Sequence, residues 1–317
     1  MNPEPEANAG TALDLSFVIP AYNEEENLTE LVEKIAANVP DGMSYEVLLV
    51  NDGSTDRTGD LIEELAATYP QVRGLHLFAH NGKSEALKAG FRDAEGALVF
   101  TMDADLQNDP ADIPKFLDEM KAGEYDILTG WRQKRQDHAE KLFISAFSNW
   151  WMQHIVRVPL HDINCGFKCF RNAVVKSVPL YGEMHRQIPV LAYHLGFKRI
   201  GEIPIAHHPR RKGRSKYGVE RYWRATFDMM TALFLTRFSR RPLHFFAGAA
   251  LPFLVFGLIA TIGGVALGRV SVLLVLGLTA LVITTVLVCT GFASELLVYL
   301  HRNVDKPQTR RSSSEEP

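Results

Sequence analysis

Short apolar runs alternate with amphipathic segments along the first third of the chain. The apolar runs have the length of buried strands and cover residues 15–20, 45–50, 72–78 and 97–102. The segments between them repeat their apolar residues at helical spacing and cover residues 24–39, 56–69 and 83–94. Strands and helices in strict alternation are typical of a parallel sheet flanked by helices. The pattern therefore predicts an α/β fold with a Rossmann-like, doubly wound and mostly parallel sheet.

Two much longer apolar runs lie near the end of the chain. Residues 245–267 and 270–294 contain no Asp, Glu, Lys or Arg, and each reaches the roughly 20 residues that a membrane-spanning helix needs. Gly268 and Arg269 separate them, so the runs predict a transmembrane hairpin. A pair of buried core helices is the alternative. Arg and Lys cluster beyond the outer ends of both runs, and this bias places both ends in the cytosol.

The segments that flank the predicted hairpin and the first strand complete the division of the chain into five parts. The segment before the hairpin repeats aromatic residues at helical spacing, which predicts an amphipathic helix in the membrane interface; a core-packing helix is the alternative. No signal-peptide pattern precedes the first strand, so the α/β domain is expected in the cytosol, on a multi-pass protein of the inner (plasma) membrane. The parts are a flexible N-terminus (1–14), the α/β domain (15–218), the amphipathic helix (219–241), the hairpin (242–300) and a disordered cytosolic tail (301–317).

The formal net charge of −3 conceals an uneven distribution of charge along the chain. Residues 1–130 hold 8 Lys and Arg against 26 Asp and Glu, whereas residues 131–241 hold 21 against 7. An acidic half suits a metal ion and a neutral sugar, and a basic half suits phosphates and an anionic membrane surface. The three cysteines lack the spacing of a CxxC motif and are expected to be free thiols.

Acidic side chains follow three of the predicted strands. Asp103 and Asp105 come directly after the strand at 97–102, and Asp52 and Glu24 follow two others. In an open α/β sheet, ligands bind at the carboxyl ends of the strands. Carboxylates in an Asp-x-Asp pattern suit Mg²⁺ or Mn²⁺, which in turn hold the oxygens of a diphosphate. Neither a G-x-G-x-x-G after the first strand nor a P-loop motif occurs, which argues against dinucleotide and P-loop sites.

At these motifs the chain resembles glycosyltransferase family 2, whose catalytic domains have a GT-A fold. The three N-terminal motifs are residues 19–24 (IPAYNE), 50–56 (VNDGSTD) and 103–107 (DADLQ). Later segments are similar to those of the polyprenyl-phosphate glycosyltransferases, the group of dolichol-phosphate mannose synthase and its bacterial relatives. They are residues 164–168 (NCGFK), 182–186 (GEMHR) and 210–218 (RRKGRSKYG). The resemblance covers residues 15 to about 240, and the two-helix anchor fits the bacterial members.

The resemblance implies a role for each matched residue. The expected nucleotide-sugar ligands are Pro20, Tyr22, Glu24, Asp52, Lys83, Asp103, Arg211 and Ser215. The expected metal ligands are Asp103, Asp105 and Gln107. A further predicted strand ends at Arg132, and the chemistry of arginine assigns Arg132 and Arg135 to the acceptor phosphate. Arg186 is assigned to the same phosphate, with a surface turn at residues 185–186 as the alternative, and catalysis is assigned to Asp103, Asp105, Arg132 and Lys216. Where relatives often have two aspartates, this chain has Asn51 before Asp52, so Asp52 is the expected nucleotide ligand and Asn51 has no assigned role.

The predicted reaction is an inverting, metal-dependent transfer of a sugar from a nucleotide-diphosphate sugar to undecaprenyl or dolichyl phosphate. A phosphate monoester is largely dianionic near neutral pH, so the acceptor needs no strong general base. Catalysis should rest on placing the phosphate oxygen in line with the anomeric carbon and on neutralising the departing diphosphate with Mg²⁺ or Mn²⁺. The basic loop 210–217 is expected to fold over both phosphate groups and then reopen; a solvated basic stretch or a membrane-surface contact is the alternative. The expected partners are donor, acceptor and bilayer, without nucleic acid and with a possible homo-oligomer.

Two other functions compete with this prediction. A processive polysaccharide synthase shares the N-terminal motifs but usually carries a Q-x-x-R-W segment, which this sequence lacks. A non-catalytic, membrane-anchored sugar-nucleotide-binding scaffold would be expected to have lost Asp103 and Asp105, which are present. The sequence leaves the sugar open, because GDP-mannose, UDP-glucose, UDP-N-acetylglucosamine and a modified UDP-sugar all fit.

Overall fold

The computed structural model describes residues 13–133, 160–180, 182, 184–208, 231, 234, 238, 241–266 and 272–304. The chain forms two compact units, Met1–Ala232 and Leu233–Pro317. The first unit contains the predicted α/β domain, and the second contains the predicted hairpin. Most of the predicted interfacial helix (219–241) lies outside the described residues, as does the C-terminal tail after residue 304.

The described part of the first unit holds a seven-stranded sheet and its helices. The strands are β1 (Leu15–Ala21), β2 (Tyr45–Asn51), β3 (Val72–His76), β4 (Leu98–Thr101), β5 (Ile127–Trp131), β6 (Lys168–Arg171) and β7 (Ile200–Pro204). The helices are α1 (Leu28–Asn38), α2 (Thr58–Thr68), α3 (Lys83–Asp93), α4 (Ile113–Ala122), α5 (Asn172–Ser177) and α6 (Ile188–Leu195). Short 3-10 helices at Pro110–Asp112 and Met184–Gln187 precede α4 and α6.

The strand order is β3-β2-β1-β4-β6-β5-β7. Strand β1 pairs in parallel with β2 and β4, β2 pairs in parallel with β3, and β5 pairs in parallel with β7. Strand β6 runs antiparallel to both of its neighbours, β4 and β5. The predicted α/β class is confirmed, and the mostly parallel sheet contains one antiparallel strand that the alternation of elements did not indicate.

Apolar side chains of the central strands form the core against α1. Helix α1 buries Leu28, Leu31, Val32 and Ile35, which recur at the spacing of one helical face. Phe17 of β1 stacks on Phe100 of β4, with ring centroids 5.1 Å apart. Phe167, just before β6, packs against Phe116 at 4.4 Å. The aromatic contacts tie the end of β4 and the segment before β6 to the core, and both carry candidate site residues.

The first predicted helix begins later than its apolar pattern alone suggested. We expected residues 24–39, but α1 starts at Leu28 because the chain turns sharply after β1. Asn23 adopts a positive φ of 53°, and the backbone N–H of Glu24 donates to Thr58 Oγ1 at 2.8 Å. These contacts hold the end of β1 against the start of α2, so residues near Asn23 face the edge of the sheet instead of entering the helix.

The second unit contains two long apolar helices, α7 (Pro242–Ala266) and α8 (Val272–Val304). Each is long and apolar enough to cross a membrane, and only 17% of its most apolar 18-residue window is buried within the protein. Because most of this apolar surface is exposed, the alternative of two buried core helices does not fit. Gly257 lies against Leu281 and Gly264 against Leu274, so these glycines let the two helices approach closely.

Candidate active site

The acidic turns after β1, β2 and β4 lie at one edge of the sheet. Parallel pairing sets Ala21 beside Asn51 and Val18 beside Thr101, so these three strands end at the same edge. The turns that follow contain the predicted nucleotide and metal residues. The predicted clustering of these turns depends on β1, β2 and β4 being parallel neighbours, which the observed register confirms.

Asn51 holds the turn after β2 in shape. Its Oδ1 accepts a hydrogen bond from the backbone N–H of Ser54 at 2.9 Å, and its Nδ2 lies 3.1 Å from His76 Nδ1. Ser54 Oγ in turn accepts from the backbone N–H of Asn23 at 3.0 Å. The residue to which the sequence argument gave no role therefore links the turn after β2 to the turn after β1.

Asp52 binds the segment that leads into α3. Its Oδ1 accepts from the backbone N–H of Asn81 at 2.8 Å, and its Oδ2 accepts from the backbone N–H of Gly82 at 3.0 Å. His80 Nδ1 lies 2.9 Å from the same Oδ2, and the His80 ring stacks on Tyr22 with centroids 4.0 Å apart. The Asp52 side chain is 4% exposed. His80 therefore contacts both of the predicted nucleotide ligands, Tyr22 and Asp52.

The turn after β2 also needs a glycine at residue 53. Gly53 has a φ of +64°, in the left-handed region, and a β-carbon there would lie 2.4 Å from the carbonyl carbon of Ala79. Any side chain at this position would push away the segment that Asp52 binds. The close approach fixes the backbone of that segment against the turn.

Lys83, the first residue of α3, forms an ion pair with Asp103 Oδ1. Burial raises the pKa of Asp103, but the ion pair with Lys83 and the electrostatic interactions with His185 and Lys168 together bring the pKa below its ordinary value. The Asp103 side chain is 36% exposed, so the ionised carboxylate borders solvent. Two residues assigned to the donor from the sequence are therefore in direct contact.

Arg132 and Asp162 form a bidentate ion pair close enough to Asp103 for the charge of this carboxylate to act on Arg132. Arg132 Nε donates to Asp162 Oδ2 at 2.6 Å and Nη2 donates to Oδ1 at 2.9 Å. Their side chains are 12% and 9% exposed. Burial alone lowers the pKa of Arg132, but the bonds to Asp162 raise it above its ordinary value and keep the guanidinium charged. Asp162 was not predicted from the sequence; it lies 30 residues from Arg132 and two residues before the NCGFK motif.

Polar residues from four neighbouring strands hold the loop that carries Asp162. Register pairs Lys168 with Thr101 and Thr129, and Thr129 with Glu202, so these four residues form one row across the sheet, here called the polar row. Each of three members binds the loop at a different point. The bonds are Thr101 Oγ1 to the Gly166 carbonyl at 2.9 Å, Lys168 Nζ to the carbonyls of Ile163 at 3.1 Å and Cys165, and the His161 N–H to Glu202 Oε2 at 2.7 Å.

Lys168 is a buried cation within the polar row. It is 4% exposed, and burial lowers its pKa to about 8. Two carbonyl acceptors compensate the buried ammonium. Lys168, the lysine of the NCGFK motif, therefore holds the loop through two of its backbone carbonyl groups.

His185, in the 3-10 helix Met184–Gln187, is buried against the start of α3. It is 9% exposed. Its backbone N–H donates to Ser84 Oγ at 3.0 Å, and its Nδ1 lies 3.1 Å from the same hydroxyl. Burial lowers the pKa of His185 well below its ordinary value, and the charges of Lys83 and Arg186 lower it further. A neutral imidazole therefore supports the start of α3, and the half-buried Arg186 follows it.

The turn after β4 is tied to the chain that follows β7. The Gln107 carbonyl accepts from the backbone N–H of His208 at 2.9 Å, and Asn108 forms a β-bridge with His207. Gln107 also donates its backbone N–H to Asp105 Oδ1 at 3.2 Å. The last described residues before the basic segment 209–218, His207 and His208, therefore lie beside the turn that carries the predicted metal residues. The candidates Arg211, Ser215 and Lys216 of that segment lie outside the described residues, as does Arg135.

The donor set at the turn after β4 fits Mg²⁺ or Mn²⁺. Asp103 and Asp105 offer carboxylates and Gln107 an amide oxygen, all hard ligands. Within the described residues, no group of three or more His, Cys, Asp or Glu could hold a metal ion. Mg²⁺ usually binds through one or two carboxylates together with substrate phosphates and water, so a two-carboxylate site is the expected form when the donor is a diphosphate.

Comparison with known proteins identifies relatives for most of the chain. Residues 16–180 match the model of glycosyl transferase family 2. The chain is 37% identical over 308 residues to a dodecaprenyl-phosphate galacturonate synthase of Rhizobium johnstonii, a match that covers 90% of this chain and 88% of the relative. It is 37% identical over 225 residues to an undecaprenyl-phosphate 4-deoxy-4-formamido-L-arabinose transferase of Edwardsiella ictaluri, covering 70% and 68%.

A solved structure resembles the fold. It is glucosyl-3-phosphoglycerate synthase from Mycobacterium tuberculosis in complex with Mn²⁺, UDP-glucose and phosphoglyceric acid. The TM-score is 0.56 at 18% identity, over 71% of this chain and 79% of that one. At this identity the likeness establishes a shared fold, which agrees with the predicted GT-A architecture.

Proposed function

The chain belongs to glycosyl transferase family 2, and on that basis we propose that it transfers a sugar from a nucleotide-diphosphate sugar to a polyprenyl phosphate at a membrane surface. The observation that carries this proposal is the set of acidic strand ends, where Asp103 is paired with Lys83 at an open edge of the sheet. The names of the relatives from Rhizobium and Edwardsiella support the lipid-phosphate acceptor. The two apolar helices support a membrane anchor.

The donor is assigned to the edge formed by β1, β2 and β4. Tyr22 and Asp52 receive the base, with Pro20 near the end of β1 and Glu24 on the turn that follows. Lys83 contributes positive charge to the diphosphate. Asp103, Asp105 and Gln107 would hold Mg²⁺ or Mn²⁺, and the metal supplies Lewis-acid neutralisation of the diphosphate. Mn²⁺ in the fold neighbour supports a divalent metal.

The acceptor phosphate is assigned to the basic residues around Arg132. Asp162 holds the guanidinium of Arg132 through Nε and Nη2, so Arg132 reaches the site in one orientation. Arg186 and Arg135 are the further candidates, while Arg211, Ser215 and Lys216 belong to the basic loop that covers the phosphates. Arginine suits this task because its planar fork binds phosphate oxygens in pairs.

The chemistry is a direct displacement with inversion. The dianionic acceptor is itself the nucleophile, so the residues of the site position two phosphate groups and need not remove a proton. Fixing the acceptor oxygen against the anomeric carbon supplies much of the rate enhancement. The polar row contributes by holding the loop that carries Asp162.

The two apolar helices α7 and α8 support a location of the reaction at the inner membrane. Cationic residues beyond the outer ends of this hairpin support a topology with the catalytic domain and both termini in the cytosol. Some of its small residues pack within the hairpin, since Gly257 and Gly264 face α8. If the protein forms a homo-oligomer, we propose that the contact uses the surfaces of α7 and α8 that face away from the other helix of the hairpin.

A panel of nucleotide sugars offered with one polyprenyl phosphate tests this function. The full chain in membranes is incubated with GDP-mannose, UDP-glucose, UDP-N-acetylglucosamine and UDP-galacturonate. The masses of the lipid products are then measured by mass spectrometry. We expect one donor to yield lipid phosphate plus one sugar. A ladder of masses would identify a polysaccharide synthase instead, and donor binding without any product would identify a scaffold.

A further inference from the structure

We propose that the imidazole of His80 occupies the place of the nucleotide base in the donor pocket and leaves it when the donor binds. The inference rests on the proposed function, because it takes Tyr22 and Asp52 as the residues that receive the base. In this arrangement the His80 ring competes with the base and lowers the affinity of the protein for the nucleotide. The pocket then favours a pyrimidine base over a purine base.

The contacts of His80 are those that a base would make at the same place. Its ring lies on the ring of Tyr22 with centroids 4.0 Å apart and planes inclined by 21°, which is a stacked arrangement. Its Nδ1 lies 2.9 Å from Asp52 Oδ2. A planar ring that stacks on an aromatic face and points an N–H at a carboxylate reproduces the recognition of a base with an edge N–H, such as uracil.

Atom Oδ2 of the Asp52 carboxylate cannot serve both rings at once. Oδ1 accepts from the Asn81 N–H, and Oδ2 already accepts from the Gly82 N–H in addition to its contact with His80. A carboxylate oxygen has two lone pairs, so a third donor on Oδ2 has no favourable direction. The two backbone donors are fixed by the chain, whereas the His80 side chain can rotate away.

His80 has room to leave. Its side chain is 51% exposed, whereas that of Asp52 is 4% exposed. Rotation about the side-chain torsions moves the ring into solvent while the Asn81 and Gly82 bonds to Asp52 stay in place. The exchange therefore requires a rotamer change and leaves the backbone unchanged.

The backbone around His80 limits the size of the incoming ring. Gly53 lies so close to Ala79 and His80 that an added β-carbon would be 2.4 Å from the carbonyl carbon of Ala79 and 2.4 Å from the backbone nitrogen of His80. This segment cannot retreat toward the turn after β2. The space that the imidazole vacates is that of a single ring, so we expect uracil to fit better than guanine.

Competition between the His80 ring and the base lowers the affinity of the protein for the nucleotide by a measurable factor. If the His80 ring is in place about 90% of the time, the apparent dissociation constant of the nucleotide is raised about tenfold. Removing the imidazole should remove this loss. If His80 instead stayed in the pocket and contacted the bound base, removing it would weaken binding.

Nucleotide binding to the full chain in detergent, measured by calorimetry with Mg²⁺ present, tests the inference. The variant His80→Ala should bind UDP three- to tenfold more tightly than the wild type, and both should bind UDP more tightly than GDP. Pyrophosphate has no base, so its affinity should be the same for both proteins. His194→Ala, an exposed histidine of α6, is the matched control and should bind UDP as the wild type does.

The outcomes separate this inference from the proposed function. Unchanged or weaker UDP binding by His80→Ala, with normal binding by the wild type, would overturn the role of His80 and leave the transferase intact. Equal tightening for pyrophosphate would also overturn it, since the gain would not come from the base. If neither protein bound UDP or GDP, the nucleotide pocket itself would be wrong. His80→Phe, which keeps the ring and loses the N–H, should fall between wild type and His80→Ala.

Discussion

Gly166 lies against the carboxylate of Asp103 so closely that a β-carbon at residue 166 would be 2.3 Å from Asp103 Oδ2. Real β-carbons do not approach this closely, so one of the two groups would have to move. The Gly166 carbonyl is held by Thr101 Oγ1 at 2.9 Å. The glycine of the NCGFK motif is therefore explained by the position of a carboxylate in a different motif, more than 60 residues earlier.

The substitution Gly166→Ala should lower the transfer rate about 100-fold, because a displacement of about 1 Å at a reacting centre has an effect of this size. The measurement is the initial rate with saturating donor and acceptor, together with the thermal unfolding midpoint. Gly248→Ala is the control, since nothing lies within 4 Å of its added β-carbon. A Gly166→Ala enzyme with wild-type rate would show that the position of Asp103 is not critical.

Arg132→Ala should raise the KM for the lipid phosphate more than the KM for the donor. Asp162→Asn should act in the same direction, because it releases the guanidinium from its bidentate pair. Breaking a buried ion pair also costs about 3 kcal/mol of folding free energy. The double variant should lose less than the sum of the two single effects in a double-mutant cycle. Equal losses for donor and acceptor would count against the assignment of Arg132 to the acceptor.

The buried Lys168 makes a pH dependence of stability that Lys168→Met should remove. Its pKa is lowered by burial to about 8 in the folded chain, against an ordinary value of 10.5. Between these two values the unfolded chain binds more protons, so this residue makes stability rise with pH, by up to about 1.4 kcal/mol per pH unit. Below about pH 8 both states are protonated and its contribution is constant.

The check is chemical denaturation of wild type and Lys168→Met in the same detergent from pH 7 to pH 10. The difference in unfolding free energy should be flat at the acid end and change above about pH 8. A difference that stays constant throughout would show that the pKa of Lys168 is not lowered. Lys168→Arg should retain a higher transfer rate than Lys168→Met if a cation bonded to the loop carbonyls is what positions Asp162.

The first half of the sheet was predictable because each of its strands is an apolar run followed by a helical pattern. Strand β6 was not, because Lys168–Arg171 has four residues and a cation at each end. A buried lysine in a strand makes sense only once its carbonyl acceptors on the loop are known. Sequence patterns record local periodicity, and these partners meet through strand pairing.

The candidate site was also only partly predictable from the sequence, for the same reason. Asp52 and Asp103 could be placed at one edge because strands β2 and β4 both neighbour β1 in parallel. The pairs Arg132–Asp162 and Tyr22–His80 were not foreseen, since each joins residues 30 or more positions apart through side-chain packing. Asp162 had a weak signal in its place just before the NCGFK motif, whereas His80 had none.

The account depends most directly on metal-assisted transfer of one sugar to a lipid phosphate, so the decisive measurement is product formation as a function of divalent metal. The wild type should convert polyprenyl phosphate to its sugar derivative with Mg²⁺ or Mn²⁺, and EDTA should abolish conversion until metal is restored. Asp103→Asn and Asp105→Asn should fall to background at saturating metal. An undiminished rate in EDTA, or a wild-type rate in either variant, would contradict the account.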